Sequence, residues 1–428
     1  MRVQLSAAAV LACSSAALAG DWEGPPIHYS KAVPDNPVSR LQARLDAGAA
    51  RLEHDGKSGG RLKALLRELG VPASSQTLVF SKTSFQLARI EPRTPRAIYF
   101  GDDAYVGWCR EGDVLEVSVA DARLGTVFYT LSQDPDAPAR FQRQTDNCLI
   151  CHGSSRTRGV PGHIVRSLYV DPEGYPMLAG GSRTVDHRTP FEQRWGGWYV
   201  TGTHGSQKHL GNLIVRSRHA RPEAADNADG QNLTRLDERF PLSPYLTRHS
   251  DIVALMVMEH QTAGHNLIAA ATLETRLALL QEAEINRALG EPADRRREGT
   301  VSRIRSVGEP LVRYLLFNEE APLTAPVKGT SGFAEEWSAR GPRDRRGRSL
   351  RDLDLRTRLL RHPCSPLVYT EAFDGMPAPV RDYVLQRIDE VLSGRDRSKE
   401  FAHLSDDDRR AVREILRETR KGYPAGSP

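Results

Sequence analysis

The 428-residue chain keeps roughly 400 residues behind its leader-like start, enough to bury a substantial core and usually to make two or more domains. Its formal charge is +5, or +4 without Arg2, a mild basic excess that reads as solubility with a preference for acidic partners. No later stretch approaches the roughly 20 apolar residues of a spanning helix, so no transmembrane segment is expected.

In chain order, "MRVQLSAAAVLACSSAALAG" opens with one positive charge, Arg2, then a short apolar run ending in Ala17-Leu18-Ala19. That order of basic, apolar and small residues predicts a secretory signal over residues 1–19. The expectation is an exported, bacterial periplasmic protein, with no nucleic-acid partner. A second processing route would lipidate Cys13 within "VLAC", which loosely resembles a lipoprotein box, although Leu11 is an unusual residue for it.

Residues 20–75 predict a helical arm. Leu41, Leu45 and Leu52 share one stripe, and Leu62, Leu65, Leu66 and Leu69 form another, stopped by Gly70 and Pro72. From 76 the period changes, and 76–217 reads as an antiparallel β-rich region. "QTLVFSKTSFQLARI", "RAIYFGDDAYVGWCREGDVLEVSVA" and "GTVFYTL" are rich in β-branched and aromatic residues between Gly-Asp turns. Beyond a cysteine-bearing segment at 145–155, "HIVRSLYVDPEGYPMLAG" predicts a hairpin turning at 171–174. "WGGWYVTGTHG" and "HLGNLIVRS" predict two more strands. Residues 218–248 are polar without usable period and read as a long loop.

Residues 249–428 read as helical. "HSDIVALMVMEHQ" is nearly continuous in apolar residues and predicts a buried helix; "LETRLALLQEAEINRALG" predicts an amphipathic one after it. The last helix has Ser405 as N-cap and Asp406, Asp407 and Asp408 in its first turn. The Arg-rich run at 341–361 interleaves Asp with Arg, the pattern of a solvated, ion-paired surface. The expected fold class is therefore α+β: an antiparallel β-rich N-terminal half, and a mostly α-helical C-terminal half packed on it.

The segment "TDNCLICHGSS" places Cys148, Cys151 and His152 within five residues of a chain that has five cysteines in all. Composition alone gives roughly 0.002 chance matches to CxxCH, so the motif is signal. On a helical turn Cys148 and Cys151 are i,i+3 and His152 is i+4 from Cys148, so all three project from one face; Thr145 or Asp146 can cap such a turn and Gly153 can end it. Three chemistries compete. A redox dithiol wants a strand before the CxxC and a helix after it, whereas the approach "ARFQRQTDN" is polar and Gly153-Ser154-Ser155 breaks a helix. Zinc wants a second ligand pair at a recognisable spacing, and the sequence has no second CxxC and no HxxxH. Covalent haem needs two thioethers along one edge and an imidazole aimed at the iron, which is what this face offers.

The segment resembles the haem-attachment motif of the c-type cytochromes. The resemblance implies one covalent haem c, with Cys148 and Cys151 as attachment points and His152 as proximal iron ligand. It covers only these residues. The small all-α cytochrome fold does not carry over, because strand-like sequence both precedes and follows the motif, and a single CxxCH departs from the dihaem peroxidases.

The sixth iron ligand decides between carrier and catalyst. Candidates are Met177 in the hairpin, His163 in "GVPGHIVRS", and Met256 and His260 on the buried helix. His249, Val253, Met256 and His260 would form one stripe there, and Glu259 could orient His260 as a distal acid/base. The alternative is a satisfied hydrogen-bond network at the end of a core helix. His187, His204 and His209, like His163 taken singly, are more in keeping with turns or surface than with ligation, and His265 follows just after Gly264. Trp195, Trp198 and Tyr199 read as β-core. Arg156, Arg158 and Arg166 suit haem propionates, against the commoner role of solvated surface. Cys109 and Cys364 either form a disulfide or stand as two buried thiols.

Three functions stay open: an exported monohaem cytochrome passing electrons to a redox partner protein; a haem-dependent oxidoreductase using peroxide or oxygen at an open site; and a haem-based sensor or structural haem protein.

Overall fold

The computed structural model describes residues 21–56, 59–216 and 221–424. The expected signal over 1–19, with Cys13, lies outside the described residues. Helix α1 (Pro37–Asp46) begins where the Asn36 side chain accepts from the backbone of Val38 and Ser39, while the Ser39 hydroxyl accepts from the Asn36 N–H. It ends at Asp46, short of the stripe expected through Leu52, because Gly48 turns left-handed at φ +69°. Leu52 is buried all the same, beyond the helix. Helix α2 (Leu62–Glu68) buries Leu62, Ala64, Leu65 and Leu66.

Strands β1 (Thr77–Val79), β2 (Arg96–Phe100), β3 (Ala104–Trp108), β4 (Val114–Asp121), β5 (Gly125–Ser132) and β6 (Phe141–Gln144) come next. Helix α3 (Asn147–His152) follows, then a separate antiparallel pair, β7 (Arg166–Leu168) with β8 (Ser182–Thr184), and finally β9 (Trp198–Tyr199). The large sheet is antiparallel in the order β6-β5-β4-β3-β2-β1-β9. Leu78 is thus flanked by Ala97 on one side and Tyr199 on the other. The β-branched and aromatic stretch read between 76 and 131 supplies β1 to β5.

Two expectations in the β half need correction. The turn at 171–174 closes, with Val170 bridging Pro176, but the ladder partner of β7 is β8 rather than the segment directly after the turn. The described part of "HLGNLIVRS", residues 209–216, forms no strand. Asn212, at φ +68°, instead turns its side chain to accept from the Val200 N–H at 2.8 Å and donate to the Val200 carbonyl at 2.9 Å, taking the place of a strand neighbour.

The helical half comprises α4 (Ile252–Ala288), α5 (Glu298–Leu315), α6 (Phe333–Ala339), α7 (Glu371–Asp374), α8 (Ala378–Leu392) and α9 (Asp406–Thr419). The two helices expected after 249 are one. Asp251 caps the start of α4 by accepting from Val253 and Ala254, and the helix continues through Gly264. The glycine is there for close approach: a side chain at 264 would collide with Leu367 and crowd Tyr314.

Helix α4 is buried nearly all round over residues 252–273, which suits their mostly apolar composition. Its residues 252–258 pack with Val79, Tyr105, Trp195 and Trp198. Leu267, Ile268 and Ala271 pack with α5, α8 and α9. Ala269 and Leu273 join the core of the sheet and the N-terminal arm. Helix α9 starts as expected, with Ser405 and Asp408 capping reciprocally. The architecture is α+β, an antiparallel sheet in the N-terminal half and helices in the C-terminal half.

Candidate functional site

Strand β6 is the outer edge of the large sheet, and two residues beyond it the chain enters α3. The polar approach "ARFQRQ" is therefore a strand, its Phe141 buried and Gln142 exposed. Asp146 holds the N-cap position of α3 without a side-chain cap bond, and Gly153 closes it by donating to the Leu149 carbonyl at 2.8 Å. Leu149 anchors the helix inward, Ile150 is exposed, Cys148 is half-buried against the core and Cys151 is exposed. Both thiols are free.

His152 is fixed by a loop that folds back on it. Gly162 N–H donates to the His152 carbonyl at 2.8 Å, and the His152 ring places Nδ1 2.8 Å from the Gly162 carbonyl. A carbonyl only accepts, so the ring proton sits on Nδ1 and the Nε2 lone pair is left free; Nε2 has no hydrogen bond among the described residues. Phe128 packs on the ring at 4.9 Å, and burial lowers the imidazole's pKa, which keeps it neutral. Within the loop Thr157 Oγ1 donates to the Val160 carbonyl at 2.7 Å, and Trp22 Nε1 reaches the Gly159 carbonyl at 3.1 Å.

The far end of the loop is held by α4. Asn266 accepts from the His163 N–H through Oδ1 at 2.8 Å and donates to the His163 carbonyl through Nδ2 at 2.7 Å. The Thr126 N–H donates to the Pro161 carbonyl at 2.8 Å, tying the same stretch to β5.

Two of the competing chemistries lose support here. Burial pushes the Cys148 thiol up to about 11, the opposite of the activated thiol that dithiol exchange requires. Among the described residues no group of three or more His, Cys, Asp or Glu side chains converges as metal ligands, so a zinc site has no partners for these thiols.

Of the other residues singled out, His163 has both ring nitrogens engaged, Nδ1 with Thr126 Oγ1 and Nε2 with Ser118 Oγ, each at 3.1 Å. His260 likewise faces His187 Nδ1 and Ser365 Oγ, each at 2.8 Å. Glu259 does not orient it: the carboxylate pairs with Arg194 at 2.5 Å and accepts from Trp195 Nε1 at 2.9 Å. Burial pushes Glu259 up to about 7, against both of those partners, which favour the ionised form. His249 precedes α4, so the expected stripe begins only at Val253. Met256 is buried in the apolar packing of 252–258, and Met177 is half-buried beside the turn, its N–H donating to Tyr169. Trp195 sits at φ +66° before β9, not in it.

Arg156 and Arg158 are exposed, and Arg166 bonds Ser182 Oγ at 2.7 Å. None of the three has a carboxylate partner among the described residues. Arg166 is close enough to Arg156 and Cys151 to feel both, and its pKa is lowered first by burial and then by Arg156. Cys109 and Cys364 are separate buried thiols, both pushed up to about 12 by burial.

Asn266, Gly162 and Ser365 have structural parts that sequence reasoning passed over, and His187, expected at a turn or surface, is buried against His260. Asn266 alone carried a signal, as a polar residue in an otherwise apolar helical run. Set beside known proteins, the chain matches no family model, no curated protein and no solved structure.

Proposed function

We propose that the chain is an exported monohaem c-type cytochrome, in which Cys148 and Cys151 carry one haem through thioether bonds and His152 is the proximal iron ligand. The observation that carries this reading is the state of His152: its Nδ1 proton is spent on the Gly162 carbonyl, and its Nε2 lone pair is uncommitted. Ligating histidines are held in this way, by a hydrogen bond from the other ring nitrogen. The haem would supply a reversible one-electron change at iron. The chain's own residues fix the ligand's tautomer, present two free thiols on the same short helix, and offer Arg156, Arg158 and Arg166 as cations without carboxylate partners, suited to propionates.

Among the sixth-ligand candidates, His163 and His260 have no free ring nitrogen. Met256 lies ten residues, about 15 Å, along α4 from Asn266. Met177 is left with an uncommitted donor atom. A Met ligand closes the site and favours electron transfer to a partner protein; the sequence's mild basic excess suits an acidic one.

Two measurements test the reading. The reduced pyridine haemochrome of denatured protein, matured in a competent host, should show two saturated vinyl groups, and Cys148→Ala with Cys151→Ala should lose all stain on a denaturing gel. Colourless wild-type protein ends the proposal. Carbon monoxide should bind the reduced Met177→Ala variant and not the reduced wild type. Ready binding by the wild type means an open site, and the peroxide- or oxygen-using oxidoreductase then becomes the better reading.

A further inference from the structure

The helical half reaches the loop that follows the CxxCH segment through Asn266. Asn266 lies on α4 among Leu267, Ile268 and Ala269, where a side-chain amide is costly unless fully bonded. Both its polar atoms are bonded, to one residue: its two bonds to the His163 backbone, at 2.8 and 2.7 Å, occupy the N–H and the carbonyl that a strand neighbour would take. Gly162 is directly before that clamped residue, and a side chain at 162 would collide with the Asn266 amide, so glycine is what lets the amide come this close. The Gly162 carbonyl in turn accepts the His152 ring proton at 2.8 Å.

We infer that Asn266 is a positioning residue for His152: by clamping His163 it fixes the direction of the Gly162 carbonyl, and so holds the His152 proton on Nδ1 and leaves the Nε2 lone pair free. The inference rests on the haem reading for its redox consequence, though not for the tautomer itself. A firm bond at Nδ1 raises the donor strength of Nε2, and a stronger donor favours ferric over ferrous iron. Loosening the clamp therefore weakens the donor and raises the midpoint potential.

The first measurement uses the unloaded full chain. Nitrogen-15 NMR of the His152 ring should give the Nδ1–H tautomer in the wild type and a mixture containing Nε2–H in Asn266→Ala. The second uses the haem-loaded chain. Loss of about tenfold in ferric preference appears as a rise of about 59 mV for a one-electron couple. Ile268→Val, two residues on and packed against the helices of the C-terminal half, is the control: it opens a small cavity on the same helix and should move neither reading. A folded Asn266→Ala variant that keeps the pure Nδ1–H tautomer overturns the inference, as does an equal potential shift in Ile268→Val. Should the wild type take up no haem, the proposed function fails while the tautomer measurement still decides the role of Asn266.

Discussion

His152 and Glu259 show how far a single residue's surroundings can be read from its neighbours in sequence. The CxxCH spacing was legible because all three side chains lie on one helical turn, and local spacing fixes their relative directions. The partner of His152 was not legible, because a backbone carbonyl carries no residue signature and Gly162 becomes an acceptor only once its loop folds back. Glu259 and His260 are adjacent in sequence, and adjacent residues on a helix point about 100° apart. Hence the carboxylate finds Arg194 and Trp195, and the imidazole finds His187 and Ser365. The Arg194–Glu259 pair is wholly buried, so removing one partner strands the other. Arg194→Met should destabilise the fold by about 3–5 kcal/mol, and Arg194→Met with Glu259→Gln should recover a large part of that, measured by urea unfolding. A single variant no less stable than the double would contradict the pairing.

At the scale of elements, the apolar periodicities identified most strands and helices, and two of the misread stretches share a cause. Side chains from elsewhere substituted for backbone neighbours. Asn212 serves Val200 as an extra strand would, and Asn266 does the same for His163, so segments that are held in extended form never pair as strands. The division of α4 into two helices was a reading of composition, since apolar residues give way to charged ones after 272. Backbone continuity is indifferent to that change. Gly264 sits inside the helix where it packs closely against Leu367 and Tyr314. Gly264→Ala gains about 1 kcal/mol of helix propensity but forces Leu367 and Tyr314 aside, typically 1–3 kcal/mol. The expected outcome is a lower Tm despite the better helix former. A higher Tm would mean that α5 and the 366–369 turn yield more easily than their packing implies.

Across the whole molecule, buried imidazoles set the response to acid. Burial holds His260 and His209 near 3 and His265 near 4, well below the ordinary 6.5. Between about pH 4 and 6.5 the unfolded chain binds protons that the folded one refuses, so these groups' stability is present above 6.5 and lost as pH falls. The Asp103 and Glu320 carboxyls, raised to about 7 by burial, act in the opposite sense: their contribution is full below about pH 4 and lost as pH rises to 7. His265→Gln should therefore flatten the fall of stability from pH 6.5 to 4 by up to about 1.36 kcal/mol per pH unit. An unchanged slope in urea titrations would mean that His265 already takes up its proton in the native state.

The clamp between Asn266 and His163 spans 103 positions. A ribosome working at roughly 5–20 residues per second needs on the order of 5–20 s to supply them. For that interval the loop behind α3 has its bonds to Trp22 and Thr126 but not the clamp from α4. The last constraint on the Gly162 carbonyl therefore arrives only with α4, after Phe128, His152 and Gly162 itself have all been made.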